Sequence, residues 1–182
     1  VALAQQKNID FVETGIKKCI VYLDPKEFHT TWLGNKSVYR TRMAIADGGE
    51  LIVLAPGVNH FGEDPVIDRL IRKYGYCGRL RVLEYFRAPE CQDLRDNMGA
   101  AAHLIHGSSD GRFSITYAVR PHITREEIEG VHFNWADYDE MAARYNPDAL
   151  SYGYNILPDG EEVYFIPNPA LGLWIDRSRF EG

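Results

Sequence analysis

Residues 31–70 read TWLGNKSVYRTRMAIADGGELIVLAPGVNHFGEDPVIDRL, and this stretch decides the fold. Leu51 to Ala55 is an unbroken apolar run, too short for a typical helix and of the kind carried by a parallel strand covered on both faces. Asp64 and Pro65 then read as an N-cap followed by proline at the first helical position, where its missing N–H costs nothing. Ile67, Leu70, Ile71 and Tyr74 continue at i, i+3, i+4 and i+7, which is one face of an amphipathic helix, and Gly75 stops it. Ligands in sheets of this kind sit at the carboxyl ends of strands. The loop Gly57 to Glu63 holds such a position, so His60 is a candidate contact; a solvated histidine on a connecting loop is the plainer reading.

Upstream of the strand, Trp32, Lys36, Tyr39, Met43 and Ala46 recur in steps of four and three, which predicts one helix up to a Gly48-Gly49 turn. A lysine on that mostly apolar stripe, near a helix start, faces the positive end of the helix dipole. Lysine and free helix amides together make an anion site. The alternative is that Lys36 runs its stem along the stripe and leaves its ammonium in water.

Three long strings carry a family resemblance: LDPKEFHTTWLGNKSVYRTRMAIADGGELIVLAPGVNHFGEDPVIDRLIRKYGY at 23–76, AAHLIHGSSDGRFSITYA at 101–118, and YFIPNPALGLW at 164–174. The chain resembles the carboxyl-terminal domain of the nickel-dependent lactate racemase family, in an uncharacterised branch. The family pattern has an aromatic residue, a glutamine, a lysine three residues on, and a Gly-Gly pair beyond. Trp32, Lys36 and Gly48-Gly49 take those places, whereas Leu33 stands where the glutamine would be. The resemblance implies an isomerase that inverts 2-hydroxy acids with a nickel-pincer nucleotide. The cofactor and the acid–base histidines belong to an N-terminal cofactor-binding domain, and this domain closes over the substrate. Lys36 is then the catalytic candidate and a substrate-carboxylate ligand, with Trp32, His60, Ser108 and Ser109 as further substrate contacts. No cofactor and no metal are expected on this chain alone. Leu33 and the missing histidines keep a second reading open, a non-catalytic small-molecule-binding or interaction domain.

Composition agrees with a globular domain. In 182 residues, 45% are hydrophobic and 12% aromatic, enough for one core, and we read residues 1–182 as a single domain, a piece of a longer protein that opens at Val1. A net charge of −6 argues against nucleic acid or an anionic membrane as partner. Three scattered cysteines with no C-x-x-C pair and no leader-like opening segment point to reduced thiols in a cytoplasmic setting.

Along the rest of the chain, a helical lead-in precedes short strand Ile9 to Val12, and Cys19 to Leu23 is a strand ended by Asp24-Pro25. A threonine caps the Lys36 helix. Helix 79–87 presents Leu80, Leu83 and Phe86, and helix 91–106 turns Leu94, Met98, Ala101 and Ile105 inward. His103 and His106 fall on one side of it, either as a metal pair, as a substrate contact, or as histidines favoured at a helix C-terminus; zinc needs three or four ligands, and spacing supplies no third. The segment 107–112 is a small, polar and exposed turn, able to offer amides and hydroxyls to an anion, before strand Phe113 to Ala118. Thr124 and Glu127 match a capping box. Val131 to Trp135 reads as a strand, Asp137 to Tyr145 as a helix, and 155–166 as a hairpin. Trp174 is placed against the domain surface or a partner. The whole is expected to be α/β: a layered, mostly parallel sheet of about five strands with helices on both faces.

Overall fold

In the computed structural model, which describes residues 8–181, five strands lie parallel in one sheet: β2 (Ile16–Tyr22), β3 (Ile45–Ala55), β4 (Ser114–Val119), β5 (Asn134–Asp137) and β7 (Glu162–Ile166). An antiparallel edge strand, β6 (Gly153–Ile156), completes the six-stranded order β5-β4-β3-β2-β7-β6. A separate parallel pair joins β1 (Ile9–Val12) to β8 (Leu173–Asp176) near the two ends of the described chain. The expected α/β architecture is therefore present, with one strand more in the main sheet and a second small sheet. The helical lead-in before Ile9 lies outside the described residues.

Alternation along the strands sends side chains into two cores. Cys19, Val21, Leu51, Val53, Ala55, Tyr117 and Val119 face one layer, and Ile20, Ile52, Leu54, Ala118 and Phe165 the other. The first layer holds most of the helices. These are α1 (Thr31–Gly34), α2 (Lys36–Tyr39), α3 (Pro65–Tyr74), α4 (Gly78–Arg87), α5 (Gln92–Arg95), α6 (Met98–His106) and α7 (Arg125–Gly130). The second is covered by α8 (Tyr138–Arg144) with Tyr145 and Leu150. A short α9 (Arg177–Glu181) follows β8. Among the described residues, no helix is long and apolar enough to cross a membrane.

Where local signals are strong they hold. Asp64 caps α3, accepting from the Ile67 N–H at 2.8 Å, with Pro65 first and Gly75 at φ 73° ending the helix. Thr124 and Glu127 form the reciprocal capping box of α7. The hairpin β6–β7 is as read, and the three cysteines are free, with Cys19 and Cys91 buried.

Several expectations need correction. The single helix up to Ala46 is two short helices parted at Asn35, followed by turns and by strand from Ile45. Ile45 is claimed by pairing with Ile16, and Lys18 pairs with Glu50, so Ala46–Gly49 bulge opposite Lys17 alone. Gly48-Gly49 is that bulge and not a turn ahead of the strand; Gly48 takes φ 77°. Helix 91–106 breaks at Asp96-Asn97, where Asn97 recaps α6 by accepting from the Ala100 N–H, and Met98 faces out. In α4, Val82 is the buried residue and Leu80 is 77% exposed. The strand expected at Val131 begins only at Asn134, because His132 sits in the left-handed region at φ 74°. Ser108 and Ser109 are buried, not exposed, since the 107–111 turn folds under Tyr76 and His132. Trp174 is 2% exposed within β8, its indole N–H donating to the Tyr152 hydroxyl at 2.9 Å.

Candidate functional site

The α1–α2 turn is positioned by hydrogen bonds to distant parts of the chain. Thr30 caps α1 by accepting from the Leu33 N–H, and the Trp32 N–H donates to the Phe61 carbonyl at 2.8 Å. At the break between the helices, the buried Asn35 accepts from the Tyr117 hydroxyl at 2.5 Å and donates to the Gly107 carbonyl at 3.2 Å. A Cβ on Gly107 would lie 2.4 Å from the Asn35 amide nitrogen, so only glycine lets the end of α6 come this close.

Next to it runs a buried polar chain. The Thr31 hydroxyl donates to the Phe61 carbonyl at 3.3 Å and meets the Tyr76 hydroxyl at 2.8 Å, which in turn meets Nε2 of His103 at 2.8 Å. His103 also packs on Trp32, ring centroids 4.3 Å apart. Burial first, and the charge of His106 second, push the His103 imidazole down to about 4, so it is neutral at pH 7. Burial likewise raises the phenol of Tyr76, which stays protonated.

Trp32, Leu33, Tyr39, Gly99, Ala102, His103 and His106 line a mostly apolar pocket of about 530 Å³ between α1–α2 and α6. Lys36 stands in the same turn, between Trp32 and Tyr39 in sequence, and is half-buried. Among the described residues its ammonium has no ion-pair or hydrogen-bond partner. The structure thus brings Trp32 to a histidine pair that had been weighed for metal. It does not bring the other candidates there. The His60 ring bonds to Asn59, and its carbonyl takes the Thr31 N–H at 3.3 Å, so it braces the start of α1. Ser108 and Ser109 line a different cavity of about 130 Å³ with Tyr76, Phe113, His132 and Phe133. Spacing places Tyr39 on the Lys36 stripe and His103 in a histidine pair, but it does not single out Tyr76. Tyr76 lies 45 residues from Thr31, and nothing local announces such a pairing.

Among the described residues, no three His, Cys, Asp or Glu side chains converge as a metal site would require. The described residues therefore do not fit as the holder of a nickel ion, and no reaction step is drawn through one.

Solved structures share the fold. A protein from Thermotoga maritima matches with a TM-score of 0.70 at 19% identity, covering 95% of this chain and 40% of its own. The lactate racemase apoprotein from Thermoanaerobacterium thermosaccharolyticum matches with a TM-score of 0.60 at 11% identity, covering 95% of this chain and 38% of its own. No protein-family model and no curated protein matches the sequence. At these identities the likeness is one of fold: this chain is built like part of a lactate racemase and spans about 40% of the length of the structures it matches.

Proposed function

We propose that this chain is the C-terminal, substrate-closing domain of a racemase or epimerase of 2-hydroxy acids, an enzyme dependent on a nickel-pincer nucleotide and inactive without its other domain. The observation that carries this reading is Lys36. A half-buried ammonium with no partner among the described residues, four residues after Trp32 and three before Tyr39, which line an open pocket, reads as a cation available to an anion from outside the chain. The fold shared with a lactate racemase apoprotein supports reading that anion as the carboxylate of a 2-hydroxy acid. In this reading Lys36 binds and orients the carboxylate, and Trp32 walls the substrate off from water on one side. His60 and the Ser108–Ser109 turn act at a distance from the pocket, as braces. Nickel and the groups that move the proton and hydride at C2 belong to the N-terminal cofactor-binding domain.

The test is turnover by the complete, cofactor-loaded protein. Inversion of an optically pure 2-hydroxy acid that is lost in Lys36→Ala supports the proposal. Full activity of that variant, or no inversion of any 2-hydroxy acid, overturns it. Leu33, where the family pattern has glutamine, favours the other reading, a binding domain without catalysis. That reading expects the same acids to bind and none to be inverted.

A further inference from the structure

The pocket beside Trp32 has a polar feature that a simple apolar hollow lacks. His103 is only 9% exposed, and its Nε2 is taken by Tyr76. Nδ1 makes no hydrogen bond among the described residues, yet no buried side-chain nitrogen or oxygen among them lacks a partner. Nδ1 is therefore not sealed inside the protein, and His103 is among the residues that line the pocket. Its chemical state follows from the bonds behind it. Thr31 can bond the Phe61 carbonyl only as donor, so it accepts from Tyr76, which then accepts from His103. One assignment of hydrogens makes all three bonds, and it places the imidazole N–H on Nε2. Nδ1 is thus a bare acceptor on a residue that lines the pocket.

Around that acceptor the walls suit a ring. Trp32 and Tyr39 supply aromatic surface, while Gly99 and Ala102 leave the α6 side open. A volume of about 530 Å³ is far more than the methyl group of a three-carbon acid fills.

We infer that the pocket takes the side group of an aromatic 2-hydroxy acid, its ring against Trp32 and an O–H or N–H on that ring donating to Nδ1 of His103. This rests on the 2-hydroxy-acid reading above and narrows it: Lys36 holds the carboxylate, and the pocket selects the ring.

Binding separates the two claims, because it needs no turnover. The 182-residue chain is titrated with lactate, 3-phenyllactate and 3-(4-hydroxyphenyl)lactate while the Trp32 indole and His103 imidazole resonances are followed by heteronuclear NMR. The ring is expected to tighten binding at least about tenfold over lactate, and the hydroxyl by about threefold more. Ala102→Phe, a filling change at an exposed helical position, should abolish the gain from the ring. His103→Phe keeps a ring at that wall and should abolish only the gain from the hydroxyl. Equal binding of the three acids, shifts located elsewhere, or unchanged binding by Ala102→Phe would overturn the inference. So would equally tight binding of 4-ethylphenol, which has the ring and hydroxyl but no carboxylate. Failure of turnover with these binding preferences intact would remove the racemase reading and leave the pocket's specificity standing.

Discussion

Two lysines of similar exposure live in opposite company. Lys18, in β2, lies 2.9 Å from Glu161 and 3.3 Å from Glu50, and donates to the Tyr145 hydroxyl at 3.1 Å. Burial alone would lower its affinity for the proton, but Glu161 and its neighbours outweigh that and raise it. Arg144 and Tyr145 also bond Glu161, so the cluster is closed on itself. Lys36 has none of this: no described carboxylate reaches it. One cation is spent on holding the fold, and the other has no such partner among the described residues. A charge without a partner among the described residues is a better place to look for function than one that is well paired.

The largest expected difference between the two is kinetic. In the complete enzyme, Lys36→Ala should lower kcat/KM for a 2-hydroxy acid by about thirty- to a thousandfold, the loss of roughly 2–4 kcal/mol from a charge-assisted contact. Lys36→Arg should recover only part, since a planar fork does not replace a compact ammonium. Lys18→Ala should leave kcat/KM within about threefold. If both variants lose activity alike, the contrast between the lysines is broken.

The pocket beside Trp32 carries its own pH signature through His103. The folded imidazole titrates at about 4 against an ordinary 6.5, so between those values the unfolded chain holds a proton that the folded chain does not. Stability should therefore fall as pH drops from 6.5 toward 4, by up to about 3 kcal/mol from this residue, and be unaffected by it above 6.5. Urea unfolding at pH 7 and pH 4.5 checks this: His103→Gln should show a shallower loss than the parent. Equal losses would mean that the imidazole is solvated rather than built in.

Stability sharpens the comparison in the other direction. Lys18→Ala should cost about 1–2 kcal/mol, because Glu50 and Glu161 are left close together without the cation between them. Lys36→Ala should move stability by no more than about half a kcal/mol. Urea midpoints of the two variants measure both, and a reversed order would make Lys36 structural.

Much of the fold was legible because its signals are local. The apolar run of β3, the Asp64-Pro65 start of α3 and the Thr124–Glu127 box each declare themselves within a few residues. The helix up to Ala46 was misread because steps of four and three continue by coincidence through Met43, while Ile45 is taken by strand pairing with Ile16. Long-range pairing overrode a periodic pattern. The pocket was only half legible. Trp32 and Lys36 could be named from their stripe, but the partners that shape it come from afar: Tyr117 reaches Asn35 across 82 residues, and Tyr76 links Thr31 to His103. Single-sequence spacing carries no trace of such contacts. Ser108 and Ser109 illustrate the converse, since small polar residues that read as a solvated turn are buried under aromatic rings.

The two-stranded pair of β1 and β8 has a mechanical consequence. The strands run in the same direction, with Ile9 opposite Leu173 and Val12 opposite Asp176. The chain therefore enters the ribbon at one end and leaves it at the other. Tension applied through the flanking chain slides the strands along each other and loads all the pairs together, instead of peeling them open one by one. Trp174 and Asp10 are both tied to Tyr152, so the same load is shared with the edge of the main sheet. Force passed through the ends is in this way carried by the clasp before it reaches the pocket.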